Sequence, residues 1–395
     1  MSRNVPKLRF KGFEDEWIKY KADDLFINIS DKKHNGELNV LSVTQDKGVL
    51  LREELEIDIK FDIESVKNYK RVKAGDFIIS LRSFQGGFEI SNQEGLISPA
   101  YTVFNFKDSE KFNSKYFSYI FKSSRFIKKL AGLIYGVRDG KAISFTDFKT
   151  MTFFCPSLQE QEKIANFLSK VDSIIEKQEK KVQYWNSYKK GMMQKIFSQK
   201  IRFKDENGMD YPEWKINKIE NIATIEMGFT PSTKNDEAWN GNIEWLSIAG
   251  MNSKYIYSGN KKISSEILGK RKLVPIDTLI MSFKLTIGRL AIVKKEIVTN
   301  EAICQFYWKS KDISNEYMYA YLSVINIESF GCRAAKGITL NTESLNSIVV
   351  KLPCLEEQTK IANFLSNIDN IIEKESKTLE ELKQWKKGLL QQMFV

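Results

Sequence analysis

Pro156–Phe197 reads PSLQEQEKIANFLSKVDSIIEKQEKKVQYWNSYKKGMMQKIF, and Pro353–Phe394 reads PCLEEQTKIANFLSNIDNIIEKESKTLEELKQWKKGLLQQMF. The two stretches align without a gap and about half of their positions are identical. Such self-similarity marks a duplication. The segments that precede the copies are similar in length and different in sequence, so the chain divides into residues 1–155, a shared segment 156–200, residues 201–352 and a second shared segment 353–395.

The shared segment has a helical period. Ile164, Val171, Gln178, Trp185 and Met192 fall at heptad position a, with Leu168, Ile175, Val182, Lys189 and Ile196 at d. The second copy places Ile361, Ile368, Glu375, Leu382 and Leu389 at a, with Leu365, Ile372, Leu379, Lys386 and Met393 at d, so polar interruptions recur at the same places. A seam this long predicts a long helix in a coiled-coil pairing, with the polar positions fixing register at some cost in stability. In the first copy Glu160, Glu162, Asp172 and Glu176 lie early and Lys189, Lys190 and Lys195 late, an order that complements the helix dipole. Pro156 and Pro353 mark the entries, and Gly191 and Gly388 fall near the expected ends. Two copies of one apolar face pair most simply with each other about a twofold axis, which runs them antiparallel. Helices of roughly 30 residues would span about 45 Å. That is a ruler between two heads, comparable with the ~34–36 Å turn of B-DNA.

Each head reads as α+β. Short β-branched and aromatic runs bounded by turn residues, such as Asn39–Thr44, Asp76–Ser80 and Asp277–Ser282, predict strands, and Lys115–Leu130 and Asn315–Phe330 predict helices. The heads align weakly with one another. Leu8-Arg-Phe-Lys11 and Trp17 correspond to Ile201-Arg-Phe-Lys204 and Trp214. The expected fold is therefore α+β with two similar globular domains, two long antiparallel coiled-coil helices and an internal pseudo-twofold repeat.

The formal charge of +11 suggests an anionic partner, and most of the surplus lies in the heads. Candidate DNA contacts in the first head are Thr44, Gln45, Lys47, Arg82, Gln85, Arg138 and Lys141. In the second they are Thr230, Ser232, Thr233, Lys234, Lys284, Arg289, Arg333 and Lys336. Arg, Lys and Gln suit guanine and adenine edges, and Thr, Ser and Lys suit phosphates. The lone histidine, His34, reads as a surface residue in a polar turn, and Lys122, Arg125, Lys128 and Lys129 as the wet face of a helix. Trp214, Trp239, Trp245 and Trp308 read as core.

One histidine rules out His-rich metal sites, and Cys155, Cys304, Cys332 and Cys354 form no C-x-x-C pair, so no metal is expected. Gly136-Val-Arg-Asp-Gly-Lys-Ala142 has the wrong spacing for a P-loop, and a dinucleotide fingerprint, a nucleophile elbow and the aromatic-flanked Asn-Pro-Pro motif of adenine methyltransferases are missing. The N-terminal MSRNVPKLRFKGFEDEW has no apolar signal-peptide core and no apolar run approaches a membrane span, so a cytoplasmic protein without membrane attachment is expected.

Leu158–Lys177 and Leu355–Lys374 share L-x-E-Q-x-K-I-A-N-F-L-S-x-[VI]-D-x-I-I-E-K, and Gly228-Phe-Thr-Pro-Ser-Thr233 is followed by Trp239-Asn-Gly-Asn-Ile-Glu-Trp-Leu-Ser247. With these motifs the whole chain resembles the specificity subunits of type I restriction–modification enzymes. The resemblance implies two target-recognition domains, each reading half of a split duplex DNA target, and helices that set the spacing and recruit two modification subunits. It also implies restriction subunits in the full complex, with S-adenosylmethionine, ATP and Mg on partner chains, no cofactor on this one and no catalysis by it. Phe167, Ile174, Phe364 and Ile371, on the outward faces of the helices, would dock the modification subunits. The first head has Asn28-Ile-Ser-Asp-Lys32 where the second has its Gly-Phe-Thr-Pro-Ser motif, so the carry-over favours the second head. Two other classes stay in view: a nuclease or methyltransferase with a degenerate site in one head, which would act alone, and an architectural scaffold, whose DNA affinity would ignore sequence.

Overall fold

The computed structural model describes residues 4–44, 48–55, 63–80, 87–133, 143–334 and 337–395. The chain forms two compact units, Met1–Lys180 with Ser376–Val395, and Lys181–Glu375. Each unit holds one head and parts of both long helices, because the helix repeats contribute to both.

In the first unit, strands β1 (Phe26–Ile29), β2 (Phe77–Ile79), β3 (Phe88–Ile90) and β4 (Thr102–Phe106) form an antiparallel sheet in the order β1-β4-β2-β3. Alternation sorts their side chains. Phe26, Phe77, Phe104 and Phe106 face helix Ser114–Lys122, where Phe117 and Phe121 complete a dense aromatic core. Val103 and Ile78 face the other way, into a smaller cluster with Leu41, Val49, Val72 and Ile97. Strand Ile18–Lys21 pairs with Thr152–Cys155, delivering the chain into helix α1 (Leu158–Phe197).

The second unit repeats this plan. Strands β5 (Ala223–Met227), β6 (Tyr255–Ile256), β7 (Leu279–Ser282), β8 (Leu290–Val293) and β9 (Ile303–Trp308) take the order β5-β9-β7-β8-β6. One face carries Leu279, Met281, Phe306 and Trp308 towards Tyr317 and Tyr321, and the other carries Ile280 and Ile303 into a cluster with Leu246, Ile256 and Val293. Lys215–Lys218 pairs with Val349–Leu352, which leads into α2 (Leu355–Gln392). The α+β reading and the internal repeat hold. Trp214 and Trp245 are buried as expected, while Trp239 and Trp308 are half-buried. The segments Lys115–Leu130 and Asn315–Phe330 are each broken. The first divides at Ser123 into Ser114–Lys122 and Ser124–Leu133, and the second ends at Leu322 before a 3-10 turn at Ile327–Phe330.

The helices α1 and α2 have 40 and 38 residues, longer than expected, and run through Gly191 and Gly388. A mid-helix glycine costs about 1 kcal/mol. The buried Met193, Ile196 and Phe197 beyond Gly191, and Leu389, Leu390 and Met393 beyond Gly388, outweigh it. Pairing is antiparallel in each unit, as ion pairs across the seam record. Lys386 meets Asp172 at 2.5 Å and Lys383 meets Glu179 at 2.7 Å in the first unit, and Lys189 meets Asp369 at 2.5 Å and Lys181 meets Glu375 at 2.8 Å in the second. The d-position lysines thus reach a carboxylate on the opposite helix at equivalent positions of the repeat. Half-exposed pairs of this kind add at most about 1 kcal/mol each. Their main effect is on register, since a slip would set a lysine against apolar side chains.

The Glu-Gln pair of the shared motif fixes each head to its helix. Glu160 and Glu357 are almost fully buried in the first helical turn, each facing an arginine from the motif that opens the head. Arg9 donates to Glu160 at 2.7 and 2.8 Å, and Arg202 to Glu357 at 3.3 and 2.9 Å. These bonds hold both guanidinium groups above their ordinary pKa. The indole of Trp214 also donates to Glu357 at 2.9 Å. Gln161 accepts from Asn113 N and donates to Pro156 O, and Gln358 accepts from Ser314 N and donates to Pro353 O. Asn113 and Ser314 are themselves the N-caps of helices Ser114–Lys122 and Asn315–Leu322. The motif is therefore a joint. It ties strand exit, helix start and head helix into one hydrogen-bonded knot.

The joint also reveals how the repeat closes. Ile201 N donates to Lys195 O at 3.2 Å where the chain leaves α1, and Leu8 N donates to Gln392 O at 2.9 Å at the equivalent position of α2. Removing an acceptor from the knot has a defined consequence. Glu357→Ala strands the Trp214 N–H and leaves the Arg202 guanidinium with only its bonds to Tyr211 O and Pro212 O and the distant Glu213, and is expected to destabilise the second unit by about 3–5 kcal/mol in denaturant unfolding. A loss below ~1 kcal/mol would show that the pair does not anchor the head.

Candidate nucleic-acid interface

The candidate site is best defined in the second head. Gly228–Lys234 leaves strand β5, and its path is set by three anchors. Phe229 N donates to Thr299 O at 2.9 Å. The indole of Trp245 donates to Phe229 O at 2.9 Å, and that of Trp239 to Ser232 O at 3.1 Å. The two tryptophans pack edge to face with centroids 4.9 Å apart. Gly228 is required by contact rather than by backbone angle, because a Cβ there would lie 1.8 Å from Thr299 O. The two separated motifs, Gly-Phe-Thr-Pro-Ser-Thr and Trp-Asn-Gly-Asn-Ile-Glu-Trp, thus form one device in which the second braces the first.

What the braced loop presents is polar. Ser232, Thr233 and Lys234 are exposed, and Thr230 donates its hydroxyl to Glu301. Around them lies a basic rim that the sequence reading passed over. Arg271 stacks on Phe229 with its guanidinium 4.1 Å from the ring centroid, and Lys261 sits 4.8 Å over Trp239. Lys262, Lys270 and Lys272 are exposed beside them. The signal was the run Gly269-Lys-Arg-Lys272 following a short helix. Held cations beside a rigid polar loop suit a phosphate backbone.

The remaining candidates divide. Lys284 is exposed on the turn between β7 and β8, whereas Arg289 spends one guanidinium N–H on Ile248 O at 3.0 Å. That turn is tied down by Ser282, whose hydroxyl accepts from Arg289 N at 3.0 Å and donates to Thr286 O. At its tip Leu285 is 94 % exposed with φ +64°, a conformation no propensity rule would assign to leucine. Arg333 lies on strand Cys332–Ala334, and Lys336 is outside the described residues. In the first head Thr44 closes a hairpin by donating to Gly48 O at 3.0 Å. Gln45, Lys47, Arg82, Gln85, Arg138 and Lys141 lie outside the described residues.

Two readings of basic side chains need correction. His34 is half-buried rather than a surface residue. Its Nδ1 accepts from Gly36 N at 3.2 Å, which leaves Nε2 as the donor to Tyr69 O at 2.8 Å. Lys122 lies on a different helix from Arg125, Lys128 and Lys129 and pairs with the buried Glu89, whereas the other three are exposed on helix Ser124–Leu133 as expected.

On the long helices, Phe167 is half-buried between Phe10 and Trp385, with centroids at 5.5 and 6.4 Å, and Phe364 packs on Phe203 at 5.6 Å. The covering rings Phe10 and Phe203 belong to the motifs that open each head, a cover that helix pairing alone does not supply. Ile371 is half-buried and Ile174 is exposed. Tyr184, Tyr188 and Trp385 are further exposed apolar side chains on these helices.

Burial pushes the thiols of Cys155 and Cys304 up to about 12, so they pack and do not react. Among the described residues, no group of three or more His, Cys, Asp or Glu side chains is placed to hold a metal, and no helix is long and apolar enough to cross a membrane.

A duplicated α+β head on a duplicated antiparallel helix, with a braced polar loop and a basic rim in the second head, defines a two-headed architecture. The model of the type I restriction modification DNA specificity domain matches residues 14–183 and again 211–384, and the chain belongs to that family. Similar curated proteins include the MjaIX specificity subunit of Methanocaldococcus jannaschii, 29 % identical over 46 % of this chain and 44 % of the relative. The MjaVIII specificity subunit of the same organism is 26 % identical over 62 % and 61 %. The chain thus spans between 44 % and 61 % of the length of these relatives. A solved S subunit of a type I restriction–modification system from M. genitalium shares the fold with a TM-score of 0.56 at 15 % identity, over 99 % of both chains. A chain from a structure describing complex assembly and conformational transition of the type I system does so with a TM-score of 0.60 at 14 % identity, over 96 % and 97 %.

The bracing makes Gly228 a sensitive point. Gly228→Ala must push the loop off Thr299, and is expected to cost about 1–3 kcal/mol in thermal or denaturant unfolding. An unchanged midpoint would mean that the loop is free to yield.

Proposed function

We propose that this chain is the sequence-reading subunit of a type I restriction–modification complex. It binds duplex DNA with a bipartite preference, one half-site for each head. The long helices set the distance between half-sites and dock two modification subunits, and restriction subunits join the full assembly. Catalysis belongs to those partners: methyl transfer from S-adenosylmethionine on the modification subunits, and Mg- and ATP-dependent work on the restriction subunits. The chain itself is not an enzyme, and it acts in the cytoplasm, where its DNA is.

The observation that carries this reading is the repeat. Two heads built on one sheet plan, with different loops, are attached to their helices by the same Arg–Glu–Gln joint. A single binding surface needs no second copy, and a scaffold needs no divergence between copies. A split target needs both. Family membership and the specificity subunits among its relatives support the same conclusion. For partner docking, the half-covered Phe167, Phe364 and Ile371 and the exposed Ile174 offer apolar surface on the helices.

The test is reconstitution with the modification subunit and S-adenosylmethionine, followed by mapping of methylated adenines on genomic DNA. The expected result is one motif of two short half-sites across a fixed unspecified gap. Methylation by the chain alone, or methylation without sequence preference by a verified complex, would contradict it.

A further inference from the structure

Strand register allows the two heads to be compared position by position. Ile29 of β1 lies opposite Val103 of β4, and Ile78 of β2 lies opposite Val103 on its other side. The corresponding row in the second head is Glu226 of β5, Gln305 of β9 and Ile280 of β7. One scaffold therefore carries Ile–Val–Ile in one head and Glu–Gln–Ile in the other.

The surroundings change with the side chains. In the first head the row is core, with Val103 and Ile78 fully buried and Ile29 packed against the same cluster. In the second, Ile280 alone of the row is apolar, and it packs in a cluster with Ile303. A cavity of about 400 Å³ lies at the polar positions instead, walled by Glu226, Phe229, Arg271, Lys272, Thr299 and Gln305 among others. Gln305 is only 6 % exposed, and a buried amide is costly unless bonded. Its Nε2 donates to Thr299 Oγ1 at 2.9 Å and its Oε1 accepts from the Tyr307 hydroxyl at 2.7 Å. An amide has two N–H groups and two lone pairs, so among the described residues each end keeps one site unused, and the amide is held in place by the other. The first head shows that the sheet folds with valine at this position. The polar pair is not demanded by the fold.

We propose that this cavity reads one base edge of the duplex. The class of base is the one that presents an exocyclic amino group, adenine through N6 or cytosine through N4. The amino group donates to the Glu226 carboxylate, Gln305 supplies the second, directional contact, and Arg271 and Lys272 at the same wall take the adjoining phosphate. The assignment rests on the DNA-reading function proposed above and makes Glu226 and Gln305 specificity-determining residues of the second head alone.

The test uses the full chain with its modification subunit and S-adenosylmethionine, and compares methylation motifs. Glu226→Ile with Gln305→Val transfers the first head's row into the second. It is expected to leave one half-site unchanged and to lose discrimination, roughly tenfold or more, at a single adenine or cytosine position of the other. Glu226→Gln, isosteric and at an exposed strand position, is expected to relax the same position, and it decides the matter if the double variant does not assemble. Arg271→Ala with Lys272→Ala should lower affinity evenly across sequences and leave the motif intact. The proposal is overturned if Glu226→Gln retains the wild-type motif at the wild-type rate, or if its losses fall on both half-sites together. If the wild-type complex shows no split motif, the DNA-reading function itself fails, and this assignment with it.

Discussion

A carboxylate buried at the first turn of each long helix is the constraint on which the rest of the structure depends. Glu160 and Glu357 could not remain in these positions unpaired, since an isolated buried charge costs several kcal/mol. Each is matched by an arginine that arrives with the motif opening its head. The neighbouring glutamine then ties the N-cap residue of helix Ser114–Lys122 or Asn315–Leu322 to the proline carbonyl that precedes the long helix. Three stretches of sequence, far apart in the chain, meet at one point in each unit. The head is thereby fixed in direction relative to the helix that carries it.

The same logic explains why the repeat tolerates two different heads. Everything outside the joint and the sheet plan is free to diverge. The first head fills its sheet with phenylalanine, and the second uses a mixed aromatic and aliphatic core. Loops supply chemistry only when a rigid support positions them, and the paired tryptophans beneath Phe229 and Ser232 are such a support.

Much of the architecture was legible in the sequence because it is periodic. The a and d residues Ile164, Leu168, Val171 and Ile175 are buried, as are Ile361, Leu365 and Ile368. The interrupting lysines Lys189 and Lys386 are satisfied across the seam. Helix ends were misplaced because Gly191 and Gly388 act locally, while the buried side chains that extend the helices act through tertiary contact. The roles of Glu160 and Gln161 were illegible for a related reason: Arg9 and Asn113 lie 151 and 48 residues away. His34 looked like a surface residue because its acceptor, Tyr69 O, is 35 residues distant. At the candidate site, the motif positions Thr230–Lys234 were visible, whereas Arg271 and Gln305 were not. Their significance comes from a stacked ring and a strand register that composition cannot express.

The central claim is that two independent readers are mounted on equivalent joints. It is tested most directly by exchanging residues 201–352 for the corresponding head of another family member, joined at the same Arg–Glu contact, and mapping adenine methylation by the reconstituted complex. The account predicts that one half of the motif changes to that of the donor, while the other half and the gap between them stay as they were. A motif altered in both halves, or in neither, would contradict it.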